Sequence, residues 1–81
     1  MPPMYETTQY FRERVLRDRP YITIEMCIAV IEHPIRREVQ RDGRIRHWSR
    51  VPALGNRALR VVTLGDGTTI YNAFPDRRFR S

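Results

Sequence analysis

Arg44, Arg46, Trp48 and Arg50 alternate along one stretch of this chain, and Arg60 and Tyr71 fall in two later stretches that read as strands. A period of two puts the first four on one side of a strand. A guanidinium fork grips phosphate through paired N–H groups, and an aromatic ring stacks a nucleobase at about 1–3 kcal/mol per base. The set therefore has the chemistry of a nucleic-acid-binding surface. With Arg60 and Arg46 stabilising a crowded phosphate and Tyr71 or His47 moving protons, it also has the parts of a metal-free ribonuclease site. Tyr71 serves as a base only if its pKa is brought down from about 10, which neighbouring arginines favour. The same pattern fits a solvated face on which Trp48 covers a helix–sheet edge or a partner surface.

The remaining reactive side chains point to packing. His47 alternates with Arg46 and Trp48, so it faces the core with Ile45 unless the strand parity slips by one residue. His33 falls at a helix C-terminus, where the dipole favours an imidazolium whatever its role. Cys27, the one cysteine, lies in the apolar run Met26–Ile31 and reads as a small buried side chain. No His, Cys, Asp or Glu set has metal-ligand spacing, no glycine-rich phosphate loop appears, and Gly65-Asp66-Gly67 is turn chemistry. No cofactor is implied.

All 15 positive side chains are arginine, and the net charge is +6 over 81 residues. Codon bias explains the missing lysines as well as selection for phosphate binding does, but the excess of positive charge stands either way. It points to an anionic partner: RNA or another nucleic acid, or a small acidic protein. The chain opens without a secretory apolar region and contains no apolar run long enough for a membrane span. A cytoplasmic protein without a membrane partner is expected.

Two amphipathic helices and two hairpins must position these residues. From a cap at Thr7 or Thr8, the segment Gln9 to Asp18 puts Phe11 and Val15 on one stripe, and Pro20 closes it. Thr23 caps a second helix with Ile24, Cys27, Ile28 and Ile31 at helical spacing, stopped at Pro34. Arg41-Asp42-Gly43 and Gly65-Asp66-Gly67 then sit between alternating segments, a hairpin signal in each case. The expectation is one α+β domain over residues 1–81: two helices on one face of a four-stranded antiparallel sheet, with residues 1–6 and 76–81 as loose arms.

Turn type sets the registers. A three-residue loop with Gly43 left-handed pairs Val39 with Ile45 and Glu38 with Arg46. A two-residue Asp66-Gly67 turn puts Leu59, Val61, Thr63, Ile70, Asn72 and Phe74 inward and Arg60, Val62, Leu64 and Tyr71 outward. The predicted core is Cys27, Ile28, Ile31, Val39, Ile45, Val61, Ile70 and Phe74.

Arg19-Pro20-Tyr21-Ile22, Gln40, Gly43-Arg44-Ile45-Arg46 with Trp48, Leu59–Leu64 and the terminal Asn72-Ala73-Phe74-Pro75-Asp76-Arg77 resemble a family of small uncharacterised bacterial proteins, over most of the chain. No activity comes with that likeness. In element order and basic charge the chain is more loosely similar to the RelE-like and colicin-like ribonuclease toxins grouped with barnase and EndoU. That similarity implies a toxin-like ribonuclease, or the toxin half of a toxin–antitoxin pair, using arginine and tyrosine in place of a histidine pair. A first-helix histidine carried by several related families is replaced here by Thr8, Gln9 and Tyr10. The alternatives are a noncatalytic RNA- or DNA-binding module on the same face, and a small basic protein-interaction domain.

Overall fold

The computed structural model describes residues 4–80. Strand β1 (Glu6–Thr7) is followed by helical segment α1 (residues 9–18), helix α2 (Ile24–Glu32), and strands β2 (Arg36–Val39), β3 (Ile45–Val51), β4 (Arg57–Thr63) and β5 (Thr69–Pro75). The strands form one sheet in the order β1-β5-β4-β3-β2. The four-stranded antiparallel sheet expected from the hairpins is thus corrected to a five-stranded mixed sheet, because β1 pairs in parallel with β5. Thr8 N donates to Ile70 O at 3.0 Å and Glu6 N to Thr68 O at 3.2 Å. The amino-terminal arm is therefore part of the sheet from Glu6 onward; residues 1–3 lie outside the described residues.

Both helices begin where a hydroxyl can satisfy a free N–H. Thr8 Oγ1 accepts from Phe11 N and Thr23 Oγ1 from Met26 N, each at 3.1 Å. Within α1, Leu16 N reaches back to Phe11 O, so Phe11–Val15 is a π-helical turn that runs into an α-helical one, Leu16–Asp18. Phe11 and Val15 both remain buried. α1 packs on β5, and α2 on β3 and β4.

The first hairpin has the expected register, Val39 opposite Ile45 and Glu38 opposite Arg46. Gly43 at φ +91° supplies the left-handed residue this loop requires. The second hairpin departs from expectation. Leu64 N bonds Thr69 O across a four-residue loop in which Asp66 accepts from the N–H groups of Thr68 and Thr69, so the two-residue turn is corrected. Thr63 still opposes Ile70, but a bulge at Tyr71 shifts the register, and Val62 opposes Asn72, Val61 opposes Ala73 and Arg60 opposes Phe74. Ala73 is thereby turned inward while Asn72 and Phe74, expected in the core, move to the outer face with Arg60.

The core between the helices and the inner face contains Phe11, Val15, Cys27, Val30, Leu59, Val61, Ile70 and Ala73, with Ile28 and Ile31 packed against it half-buried. Ile45 is buried as expected; Val39 is not, at 64% exposed, because the described helices pack mainly on β3, β4 and β5. Burial pushes the Cys27 thiol up to about 12, with the nearby Glu25 charge adding to the effect. It is a packing residue.

Candidate functional site

The outer face of the sheet, opposite the helices, gathers most of the expected site residues, in two clusters. At one end Trp48 Nε1 donates to Asp76 Oδ2 at 2.8 Å, and Arg60 donates to the same oxygen from Nη2 at 2.8 Å and Nε at 3.2 Å. Phe79 stacks on the indole with ring centroids 5.7 Å apart. The Arg60 guanidinium lies 5.3 Å from the centroid of Trp48 and 4.9 Å from that of Phe74, and Arg36 lies 5.5 Å from the indole. Trp48 is consequently only 4% exposed. It is not the open stacking platform its neighbours in sequence suggest.

The segment after Pro75 makes this cluster, and it is not the loose arm expected of it. Asp76 N donates to Ala58 O at 2.9 Å, Asp76 Oδ1 accepts from Arg78 N at 3.0 Å, and the turn delivers Phe79 onto Trp48 and Ala58. Burial raises the Asp76 pKa, but hydrogen bonds from Trp48, Arg60 and Arg78 N and the Arg60 charge outweigh it, and the carboxyl is held below its ordinary value.

At the other end Tyr71 stacks on Tyr10, centroids 5.2 Å apart, with the Arg44 guanidinium over the Tyr71 ring at 4.1 Å. Tyr10 is exposed, so this pair presents an accessible aromatic surface. Arg46 lies between the two clusters, with its Nη1 3.9 Å from Glu38 Oε1. Arg60 and Tyr71 share the outer face but engage different neighbours.

His47 stands apart. It is 2% exposed on the inner face, with Nδ1 3.2 Å from Val61 O, and desolvation, helped by the Arg37 charge, lowers its pKa despite that bond. His47 is thus separated from Arg46, Arg60 and Tyr71 by the thickness of the sheet. Trp48, Arg46 and Arg60 come together as expected, Arg44 joins Tyr71, and Arg50 lies at the margin, reaching Asn56 O at 3.4 Å.

Two grooves flank the carboxy-terminal turn and share Asp76, Phe79 and Arg80 as walls. One, of about 290 Å3, is lined by Arg36, Arg46, Arg60, Arg78 and Arg80 around Trp48, with Glu38 and Asp76 as its acids. The other, of about 320 Å3, adds Arg50, Arg57 and Arg77. Eight arginines thus face two carboxylates. Asp76 is committed to Arg60, and Glu38 is shared by Arg36 and Arg46.

Sequence reasoning did not include Asp76, Phe79, Arg78 or Tyr10 in the site. The signal available was one carboxylate and one phenylalanine in an otherwise basic tail, a pair with no reason to be there if the tail were only a charged arm. Among the described residues no group of three or more His, Cys, Asp or Glu is placed to hold a metal ion, and no helix is long and apolar enough to cross a membrane. No protein-family model, curated protein or solved structure matches this chain.

Proposed function

We propose that the outer face is a noncatalytic binding surface for single-stranded RNA, with the arginine grooves following the phosphodiester backbone and the Tyr10–Tyr71 pair stacking a base. The observation that carries this reading is the pair of adjoining grooves in which eight arginines face two carboxylates. Such an excess attracts a polyanion, and the planar fork of arginine suits its phosphates better than a point charge would. The accessible aromatic pair that Tyr71 makes with Tyr10, at the start of α1, supplies sequence-tolerant stacking. Binding is favoured over cleavage because His47 lies in the core and Arg60 is already held by Asp76.

The test is fluorescence anisotropy of a labelled single-stranded RNA at low salt. Arg46→Ala, Arg78→Ala and Tyr10→Ala are each expected to weaken binding with the fold intact. Affinity is expected to fall steeply with salt, by roughly three-hundredfold or more between 50 and 200 mM if six or more phosphates are contacted. A protein that fails to retain the RNA at 50 mM salt overturns the reading. RNA shortened by the wild type but not by Tyr71→Phe replaces it with the ribonuclease of the toxin class.

A further inference from the structure

We propose that the free edge of the sheet is a homodimer interface, in which β2 pairs antiparallel with β2 of a second copy about a two-fold axis through Arg37. Among the described residues β2 is the last strand of the sheet order, bonded to β3 on one side only. Gln40 N donates to Arg44 O, so the main-chain groups of the even-numbered positions turn toward β3, and by the two-residue period those of Arg37 and Val39 turn outward. An edge of this kind is a template for another strand.

The edge is complementary to itself. Setting Arg37 opposite the Arg37 of a second copy makes a hydrogen-bonded pair that uses the outward groups. Arg36 then falls opposite Glu38, and Glu38 opposite Arg36, in the closer non-hydrogen-bonded positions, where opposite charges stabilise a pair. On the other side of the strand Val39 is bare, and Ile35, in the bend before β2, already gives its N–H to Trp48 O at 2.7 Å. Val39 is 64% exposed, left bare because α1 and α2 pack on β3, β4 and β5. One register thus satisfies charge in both cross-pairs and main-chain bonding at Arg37, while the facing Arg37 side chains oppose it. Because Arg36 and Glu38 also line the arginine groove beside Trp48, the two-fold would bring the grooves of two copies together. The pairing does not depend on what those grooves bind.

The experiment is sedimentation equilibrium of the purified full chain over a range of concentrations. The wild type is expected to dimerise. Val39→Pro removes an outward N–H without touching the bonds to β3 and should give a monomer with an unchanged circular dichroism spectrum. Arg36→Glu and Glu38→Arg should each be monomeric, since each puts like charges in both cross-pairs, and a one-to-one mixture of the two should dimerise because the cross-pairs become opposite in sign again. Arg37→Thr should tighten the dimer. A wild type that stays monomeric at millimolar concentration overturns the proposal, as does a dimer that survives Val39→Pro, or a mixture that fails to associate.

Discussion

Removing the Asp76 carboxylate should loosen the whole carboxy-terminal turn. In Asp76→Ala, Trp48 Nε1 loses its 2.8 Å acceptor and Arg60 loses two donated bonds to a side chain that is 8% exposed. A hydrogen bond involving a charged group contributes about 1.5–3 kcal/mol, and a buried N–H left unpaired costs about 1–3 kcal/mol. The terms overlap, and Arg60, at 25% exposed, can turn to water, so the expected loss is about 2–4 kcal/mol. An 81-residue domain has roughly 4–12 kcal/mol to lose. At about 4–8 °C per kcal/mol, the melting temperature should fall by roughly 8–32 °C. Trp48 is the sole tryptophan, so its emission reports the site directly and should shift to the red as Phe79 lifts away. Asp76→Asn keeps an acceptor for the indole and should lose roughly half as much. The carboxyl is depressed in the folded state, so its contribution is present above the unfolded value of about 3.9 and is lost as pH falls through the lower folded one. Asp76→Asn should lack that acid-side loss. A melting temperature within about 2 °C of wild type, with unchanged emission, would refute the claim that this carboxylate locks the turn.

Two further outcomes test the opposite face. Among the described residues Thr63 Oγ1 is buried without a partner, so Thr63→Val, which keeps the branched shape and removes the hydroxyl, should raise stability by about 1–3 kcal/mol in urea unfolding; a loss would show that the hydroxyl is bonded after all. His47 is held neutral by burial, so its contribution is complete above the unfolded pKa of about 6.5 and declines as pH falls toward and through the lowered folded value. His47→Gln should flatten the stability profile below pH 6.5, and an unaltered slope there would contradict the inward placement.

Local chemistry made much of the fold legible. Thr8 and Thr23 cap helices because a hydroxyl one turn before the first free N–H has few better partners, and Gly43 fixed the first hairpin because few other residues adopt its φ of +91°. What escaped had no local mark. Glu6–Thr7 is too short for a period and is a strand only because Thr68 and Ile70 offer carbonyls to it. The bulge at Tyr71 carries neither glycine nor proline; it follows from packing, since it buries the small Ala73 in place of the Asn72 amide and frees Phe74 to lie against Arg60 and Arg19.

The site was legible in direction but not in accessibility. Alternation correctly places Arg46 and Trp48 on the face opposite His47, because strand parity is a property of the strand alone. Exposure is decided elsewhere: Trp48 is closed over by Asp76, 28 residues away, and by Phe79 beyond it. A tryptophan flanked by arginines therefore reads as a stacking platform in the sequence and is a covered anchor in the fold. That changes which ring a nucleobase would meet. Under the RNA-binding reading Trp48→Ala should weaken binding only by unfolding the turn, in step with Asp76→Ala, whereas Tyr10→Ala should weaken it with the melting temperature nearly unchanged, since Tyr10 is exposed and stacks on Tyr71. Measuring anisotropy and melting together on these three variants separates the two rings. A Trp48→Ala protein that melts like wild type yet loses RNA would return the stacking role to Trp48.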